Sequence, residues 1–410
     1  MANNNLASEP TVKEKKIFFG NTENAFKTKN NKALRRSLFL FKLMGNPALV
    51  KLFSKLTLFA IKIGLPIKPL IKSTIYQQFC AGESIEESQA TINNLVKSKV
   101  GSILDYSVEG KDSIADFDRT KNEVLRIIDI AKGNPAIPYT SIKLTGILRG
   151  DLLEKINFQT RLDAKEEAEY DEFCNRLDTI FVNARANNVP VYIDAEETWL
   201  QNAIDKIAEE NMRKYNREKA IVLTTLQMYR WDRMDYLQKL IWEARREKFL
   251  IGIKLVRGAY MEKENKRAAE KNYKSPIQPS KEKTDEDFDK AVDLCLQNID
   301  IITLCAGTHN EASTLHLIDT MKKLKISNDH PHVYFSQLYG MSDHITFNLA
   351  DSGYNVTKYL PYGPVKSTLP YLIRRAEENT AIAGQMSREL KLILEEKERR
   401  RFSKMLPGGK

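Results

Sequence analysis

The sequence predicts an α/β fold, a TIM-like (β/α)8 barrel preceded by an N-terminal helical arm. From about residue 85 onward it holds eight short apolar, β-branched runs, and segments with apolar residues three and four apart separate them. Such alternation favours a parallel sheet with right-handed crossovers, and eight units suit closure into a barrel. An open doubly wound sheet is the alternative, but we would expect a GxGxxG turn after an early strand, and none of the eight runs has one.

The eight runs are the predicted strands, and the segments between them are the predicted helices. Helical spacing is clear in DEFCNRLDTIFVNARANN and in MDYLQKLIWEARREK. We expect three regions: a basic helical arm over 1–84, the barrel over 85–400 and a C-terminal tail over 401–410. The predicted strands are 100–107, 140–147, 189–196, 220–229, 250–258, 299–310, 332–340 and 354–363.

The arm carries the positive charge of the chain. Of a net charge of +10 over 410 residues, residues 1–72 contribute fourteen Lys and Arg against three Glu, so the remainder is close to neutral. No acidic residue occurs between Glu23 and Glu83, and lysines interleave with Leu, Phe and Ile at helical spacing. This composition is typical of a helix that rests on an anionic membrane, here through residues 24–72. The alternative is that its apolar face packs on the protein.

Several other classes of protein fit the sequence poorly. Lysines interrupt every apolar run before the ~18 residues that a spanning helix requires, and the first ten residues do not resemble a secretory signal. Nucleic-acid binding is not expected, because the basic residues of the arm alternate with aliphatic ones. Four scattered cysteines without a CxxC spacing indicate neither a metal site nor a disulfide scaffold. We expect a cytoplasmic protein, with a peripheral position at the inner membrane face as an option.

Polar residues collect at the carboxyl ends of the predicted strands, where a barrel places its catalytic groups. Burying so many without partners would be costly, so we interpret the set as a candidate active site. It comprises Asp105, Glu109, Lys143, Asp194, Glu196, Gln227, Tyr229, Lys254, Arg257, Thr308, His309, Gln337, Tyr359 and Tyr362.

The segment YLPYGPVKSTLPYLIRRAEENT, residues 359–380, predicts an anion pocket built by the last strand and its helix. Tyr371, Arg374, Arg375 and Glu378 stand at i, i+3, i+4 and i+7, on one face of a helix. Paired guanidinium groups suit a carboxylate or a phosphate, and Glu378 can hold both of them. Tyrosines and prolines just before them, Tyr362 among them, predict dry pocket walls. The alternative is an ordinary solvated helix.

This segment resembles the carboxyl-terminal signature of the proline dehydrogenase family, and further motifs in the same order extend the resemblance over some 300 residues. Those motifs are FCAGES (79–84), ILDYSVEG (103–110), IKLTG (142–146), IDAEE (193–197), LQMY (226–229), KLVRGAY (254–260), GTHN (307–310) and LYGM (338–341). The resemblance implies non-covalently bound FAD, oxidation of L-proline to Δ1-pyrroline-5-carboxylate by hydride transfer to flavin N5, and a membrane quinone as acceptor. It implies the first step of proline catabolism to glutamate, with a separate pyrroline-5-carboxylate dehydrogenase downstream.

The chemistry of proline and the resemblance together assign roles to individual residues. Arg374 and Arg375 would hold the substrate carboxylate with Lys143, while Glu378, Glu109 and Asp194 supply counter-charge. The resemblance further places Asp194 at the catalytic centre and Tyr359 and Tyr371 over the proline ring. Lys254 stands where many bacterial members carry Arg near flavin N5, because this chain reads KLVR where they read RLVK. The expected flavin contacts are Ala195, Gln227, Arg257, Gly258, Ala259, Thr308 and His309.

Two other activities remain open from the sequence. One is a hydroxyproline dehydrogenase. The other is a flavin-free barrel that binds or cleaves a phosphorylated substrate, with Arg374 and Arg375 as the phosphate clamp. Flavin absorbance in the purified protein would favour a dehydrogenase, and its absence would favour the flavin-free barrel.

Overall fold

The computed structural model describes residues 17–107, 112–381 and 383–403. For residues 378–381 and 383–387 it describes the backbone alone. Eight parallel strands form a closed barrel in sequence order, with β8 paired to β1, so the predicted architecture is confirmed. Each predicted run overlaps one strand. The strands are β1 Val100–Tyr106, β2 Tyr139–Ile142, β3 Val191–Ile193, β4 Val222–Gln227, β5 Ile251–Val256, β6 Ile302–Gly307, β7 Val333–Leu338 and β8 Val356–Tyr362.

Helices precede the barrel, alternate with its strands and follow the last strand. A π-turn over Lys72–Tyr76 and a 3-10 turn over Leu144–Gly146 complete the regular structure of the described residues. The helices are α1 Thr22–Ala25, α2 Asn31–Met44, α3 Pro47–Lys62, α4 Lys68–Ile71, α5 Gln77–Phe79, α6 Ile85–Val96, α7 Ile114–Ala131, α8 Gly150–Asn157, α9 Ala164–Asn187, α10 Thr198–Tyr215, α11 Arg233–Glu247, α12 Met261–Lys271, α13 Lys281–Gln297, α14 Glu311–Lys323, α15 Asp343–Asp351, α16 Val365–Ala381 and α17 Ala383–Ser403.

The two helical patterns that the sequence shows most clearly correspond to α9 and α11, and local signals set the helix ends. A capping box starts α9, in which the Asp163 side chain accepts from backbone N–H groups and Glu166 reaches back to the cap. Asn188, in the left-handed conformation, ends α9, and Lys248 ends α11 in the same conformation. These ends are therefore determined by residues close in sequence.

A small cluster of buried side chains fills the barrel interior beneath the polar residues. It consists of Ile103, Tyr139, Tyr192, Leu223 and Cys305. On β1 and β3 the charged candidates Asp105 and Asp194 come two residues after the packed positions Ile103 and Tyr192. The barrel is therefore closed by packed side chains below the site, and its polar groups meet at the carboxyl ends of the strands.

The first part of the arm packs against the end of the chain. Phe26 and Phe41 are buried in one cluster with Leu372 and Ile393 of α16 and α17. The arm also contacts α15, since Asn24 Nδ2 donates to the Phe347 carbonyl at 2.9 Å. For α1 and α2, packing on the protein is therefore the observed arrangement. The predicted boundaries at residues 84 and 400 stay a prediction.

A close backbone contact joins the arm to the loop after β7. Gln78 Nε2 donates to the Gly340 carbonyl at 2.7 Å, and Ser37 Oγ donates to Gln78 Oε1 at 2.9 Å. Gly340 has φ +79°, and a Cβ there would lie 1.9 Å from the Gln78 carbonyl oxygen. Only glycine allows this approach.

Across the described parts of the chain, none of the helices combines the length and the apolar character needed to cross a bilayer.

Candidate active site

Three side chains from other strands meet at Asp194, which directly follows β3. Lys254 Nζ on β5 donates to Asp194 Oδ1 at 2.5 Å, and the Tyr359 hydroxyl on β8 donates to Oδ2 at 2.6 Å. Lys143 Nζ, after β2, lies 3.3 Å from the same Oδ2. The sequence placed all four at strand ends, and the closed barrel brings them into direct contact.

The surroundings of Asp194 keep it ionised. Its side chain is almost fully buried, which acts to raise its pKa, but the charges of Lys254 and Lys143 and the hydrogen bonds from Lys254 and Tyr359 outweigh burial. The pKa of Asp194 is about 2 as a result. Burial, together with the charges of Asp105 and Asp194, raises the pKa of Tyr359 well above its ordinary value. Asp194 is therefore a carboxylate at neutral pH, and Tyr359 is a neutral hydrogen-bond donor.

Asp105 is a second carboxylate of this site, to which the sequence gave a position but no role. Lys143 Nζ lies 3.3 Å from its Oδ2, and the Ser107 hydroxyl donates to the same oxygen. Ser141 Oγ links the two halves of the group, 3.4 Å from Asp105 Oδ1 and 3.2 Å from the Tyr359 hydroxyl. Two carboxylates thus face two lysines. The sequence shows Asp105 as an acidic residue at the end of an apolar strand. That pattern predicts its position but not that Lys143 contacts it.

Arg257, after β5, holds a second group of residues together. Its guanidinium donates to Asp285 Oδ1 at 2.6 Å, to Thr308 Oγ1 at 2.7 Å and to Ser313 Oγ at 2.8 Å. It also lies 4.5 Å from the centre of the Phe288 ring. Arg257 and Thr308, both expected flavin contacts, are therefore adjacent. Asp285 and Ser313 were not identified from the sequence, because they lie on α13 and α14 away from any strand end.

His309 and Gln337 extend this second group toward β7. Gln337 Nε2 donates to the Thr308 carbonyl at 3.2 Å, and His309 Nδ1 lies 2.9 Å from Ser342 Oγ. Burial lowers the pKa of His309 well below its ordinary value, and the nearby positive charge of Arg375 lowers it further. His309 is therefore a neutral imidazole with a fixed orientation.

Two features fit the FAD that the resemblance implies. The Gln227 side chain is buried, and its Oε1 has no hydrogen-bond partner among the described residues, so a ligand donor would satisfy it. Gly258 has φ +128°, and a Cβ there would lie 2.5 Å from the Tyr229 ring, so only glycine fits. Ala195 and Ala259, next to Asp194 and Gly258, are half-buried and small. Gln227 therefore offers an amide oxygen, and Gly258 an exposed backbone, to a planar, polar cofactor.

Helix α16 carries the predicted arginine pair, and both side chains are half-buried. The Arg374 guanidinium lies 5.4 Å from the centre of the Tyr260 ring, and that of Arg375 lies 5.6 Å from the Tyr371 ring. Tyr260 was not identified from the sequence. The first contact places Arg374 beside Tyr260, and the charge of Arg375 is close enough to His309 to lower its pKa.

Two predicted members of the site fall outside the described residues. Glu109 belongs to the segment 108–111, and the Glu378 side chain lies within 378–387, so their predicted counter-charge roles stay predictions.

Tyr362 does not form a pocket wall as the sequence suggested. Its hydroxyl donates to Glu123 Oε1 on α7 at 2.9 Å, and its ring packs against Tyr106. Successive side chains of a strand point to opposite faces, so Tyr359 points into the barrel and Tyr362, three positions later, points toward the helices.

Comparisons with known proteins agree with the resemblance. Residues 88–388 match the family described as proline dehydrogenase. The chain is 34% identical over 373 residues to the carbapenem antibiotics biosynthesis protein CarD of Pectobacterium carotovorum subsp. carotovorum, with 90% of this chain and 96% of CarD covered. It is 34% identical over 387 residues to mitochondrial proline dehydrogenase 1 of Dictyostelium discoideum, with 83% and 68% covered.

A relative with another named substrate and a solved structure complete the comparison. The chain is 31% identical over 417 residues to the hydroxyproline dehydrogenase of Xenopus laevis, with 92% of this chain and 89% of that protein covered. The crystal structure of proline utilization A (PutA) from Bdellovibrio bacteriovorus, inactivated by N-propargylglycine, has a TM-score of 0.69 at 20% identity. It aligns with 93% of this chain, which spans 42% of the PutA chain, and it shows the shared fold.

Proposed function

Because this chain belongs to the proline dehydrogenase family and is an oxidoreductase of that type, we propose that it oxidises L-proline to Δ1-pyrroline-5-carboxylate with FAD as the hydride acceptor. The observation that carries the proposal is the buried Asp194, held by Lys143, Lys254 and Tyr359 at the mouth of the barrel. Two further observations support a flavin near Asp194. Gln227 Oε1 has no hydrogen-bond partner among the described residues, and Gly258 stands where a side chain would clash with Tyr229.

Proline presents a carboxylate, a secondary ammonium and an apolar ring, and α16 offers a complement to two of these. Arg374 and Arg375 would bind the carboxylate by charge-assisted hydrogen bonds. Tyr371, which is 5% exposed, would cover the ring. Orienting the substrate in this way is the main task of the protein, because the redox chemistry belongs to the cofactor.

Asp194 acts as a counter-charge in this proposal. A carboxylate with a pKa of about 2 is a weak base, so it does not take the proton that the substrate ammonium must lose. It instead fixes Lys254 and Tyr359 and balances the positive charges that attract the substrate carboxylate. The Lys143 ammonium lies between Asp105 and Asp194 and contacts both carboxylates.

Gln227, Lys254, Arg257, Thr308 and His309, with the backbone of 258–259 and Ala195, would hold the cofactor. A bound flavin supplies the acceptor for the hydride that leaves the proline carbon next to nitrogen. Lys254 brings a buried point charge to this region, and its tight contact with Asp194 restricts where that charge can lie.

We further propose that the electrons pass to a membrane quinone and that residues 24–72 provide peripheral contact with the inner face of the membrane. Lysines without intervening acidic residues support this contact. The product would then be oxidised by a separate pyrroline-5-carboxylate dehydrogenase. The four cysteines are free thiols, which is compatible with the cytoplasmic location that we propose.

Hydroxyproline oxidation is the second candidate function, because the Xenopus relative covers most of the chain at 31% identity. The aromatic ring of Tyr371 favours proline, since a hydroxyl buried against it without a partner is costly.

The test of the proposed function is the flavin spectrum of the purified protein before and after anaerobic addition of L-proline. We expect oxidised-flavin absorbance that bleaches with proline, and slower bleaching in Asp194→Asn. A protein without flavin absorbance that added FAD does not restore would overturn the proposal and favour the phosphorylated-substrate alternative.

A further inference from the structure

Helix α3 exposes an apolar stripe that runs along its whole length. The six residues of this stripe recur at three- and four-residue spacing, with one adjacent pair, as expected for one face of a helix. We call them the α3 stripe: Leu49 (36% exposed), Leu52 (51%), Phe53 (47%), Leu56 (50%), Phe59 (60%) and Ile63 (54%). On α3 itself, Val50 is the buried residue.

The preceding helix shows how such a stripe is normally used in this protein. Leu34, Leu38 and Phe41 on α2 are buried against α16 and α17, at 9% exposure or less. The same arm therefore contains one helix whose apolar face is covered by the protein and one whose apolar face is not covered by the described residues.

The segments outside the described residues are poorly suited to cover the stripe. Residues 1–16 read MANNNLASEPTVKEKK, in which Met1, Leu6 and Val12 are the large apolar side chains. A segment with so few of them cannot match a stripe of six Leu, Phe and Ile side chains. Residues 404–410 contain Met405 and Leu406 as large apolar side chains, so a surface outside the protein is a better match for the stripe than either segment.

The charges on α3 identify the kind of occupant. Lys51, Lys55 and Lys62 are exposed and flank the stripe on one side of the helix, and no Asp or Glu occurs from residue 24 to 82. A helix with a bulky apolar face flanked by basic residues, and with no acidic residue, suits the boundary between acyl chains and anionic headgroups. A protein partner with a matching apolar groove would not by itself require three lysines that have no ion-pair partner among the described residues.

We propose that α3 inserts its stripe into the surface of an anionic lipid bilayer and is the membrane-binding element of the arm, whereas α1 and α2 are structural. The proposal rests on the proposed function, and it assigns to α3 alone the membrane contact proposed there for residues 24–72. Val50 packs in one cluster with Val365, Leu369 and Leu372 of α16, so α3 lies against the helix that carries Arg374 and Arg375. Lipid binding through α3 therefore brings the bilayer beside the helix that carries Arg374 and Arg375.

The experiment measures binding of the FAD-loaded, full-length protein to sedimenting vesicles of phosphatidylcholine with and without phosphatidylglycerol. We expect wild type to bind the anionic vesicles, and Phe53→Ser/Leu56→Ser/Phe59→Ser to bind them at least tenfold more weakly. Lys51→Gln/Lys55→Gln/Lys62→Gln should lose the preference for phosphatidylglycerol. A matched control changes exposed apolar residues elsewhere, Ile114→Ser/Phe158→Ser/Leu394→Ser, and should bind like wild type.

Dye-linked proline oxidation, measured on the same samples, keeps this proposal separate from the proposed function. All variants should retain it, because none of the changed residues lies in the site, whereas transfer to quinone in vesicles should fall with the α3 stripe variant. Equal vesicle binding by wild type and the stripe variant would overturn the proposal. So would a wild-type dimer in light scattering that becomes a monomer in the stripe variant, because the stripe would then belong to a contact between two copies of the chain.

Discussion

Asp194 is the residue on which the charged side chains of the site converge, and its partners show why the site can bury several charges at once. Removing one partner of a buried ion pair leaves an uncompensated charge, which is more costly than losing an exposed pair. Asp105 supplies the second negative charge, so Lys143 and Lys254 are both balanced before substrate binds. In the proposed function, the binding of an additional anion then depends on Arg374 and Arg375 of α16.

Arg375→Met should raise the apparent KM for proline at least tenfold, because a charge-assisted contact to the carboxylate is worth more than ~1.4 kcal/mol. FAD content, measured from the absorbance of released flavin, should be unchanged. Arg374→Met is the matched variant one position away. If KM stays at the wild-type value in both variants, the pair does not bind the carboxylate.

Glu196 should make the stability of the protein depend on pH. Burial raises its pKa to about 7, with the charge of Glu197 acting in the same direction and hydrogen bonds from Thr145 acting against it. A raised pKa favours the protonated folded form, so this contribution to stability is complete below the ordinary pKa of 4.5 and is lost as pH rises through about 7.

Glu196→Gln should remove this dependence, because glutamine resembles the protonated acid and does not ionise. Between about pH 5.5 and about pH 8.5, wild type should lose ~2 kcal/mol more free energy of unfolding than the variant, measured by urea denaturation. Glu270→Gln, at a side chain that is 61% exposed, is the control and should behave like wild type. Parallel pH profiles for wild type and Glu196→Gln would contradict the prediction.

At the scale of the element, α16 serves two surfaces. Leu369, Leu372 and Ala376 are buried against the arm, while Arg374 contacts the ring of Tyr260 in the loop after β5. Tyr371 lies on the border of the two surfaces, since it is buried in the arm cluster and its ring is near Arg375. Its position raises the question of whether this ring contributes to packing alone or also to substrate choice.

Tyr371→Ser should narrow or reverse the preference for proline over trans-4-hydroxy-L-proline and lower proline turnover. In wild type we expect at least a tenfold preference in kcat/KM, because burying the extra hydroxyl without a partner costs roughly 1–3 kcal/mol. The measurement is kcat/KM for both substrates with a soluble quinone. Tyr371→Phe keeps the ring and should keep the preference. A ratio that is the same in wild type and Tyr371→Ser would show that the ring only packs.

At the scale of the whole molecule, a buried ion triad fastens the arm to the barrel. Lys29 Nζ lies 2.9 Å from Asp343 Oδ2, and Lys358 Nζ lies 2.8 Å from Asp343 Oδ1. Burial acts to raise the pKa of Asp343, but the charges of Lys29 and Lys358 outweigh it and hold that pKa below its ordinary value. Lys358 precedes Tyr359 on β8, so the triad connects the arm to a strand of the site.

Asp343→Asn should lower the free energy of unfolding by ~3–5 kcal/mol, because it removes the negative charge that contacts both the buried Lys358 and the half-buried Lys29. It should also increase cleavage of the arm by protease, as the docking of residues 17–44 weakens. Urea denaturation and limited proteolysis are the measurements, with Asp300→Asn, at a 60% exposed side chain, as the control. A loss below ~1 kcal/mol would mean that the triad does not hold the arm.

The sequence by itself determined the eight strand and helix units and the end of the barrel at which the polar residues lie. Both follow from local information, because hydrophobic periodicity reports secondary structure and parallel strands in a barrel share one direction. The choice of candidate residues at the strand ends, such as Asp194 and Lys254, needed only their chemistry and position.

Only the tertiary structure decided which of these residues meet and which apolar faces are covered. Asp194 and Lys254 are 60 residues apart, and Lys143 and Asp105 are 38 apart, so barrel closure and strand register create their contacts. Helices α2 and α3 both combine apolar and basic residues, yet the apolar face of α2 is buried and that of α3 is exposed. Periodicity states that a helix has an apolar face, but what covers that face depends on neighbours distant in sequence, here the helices that follow the last strand.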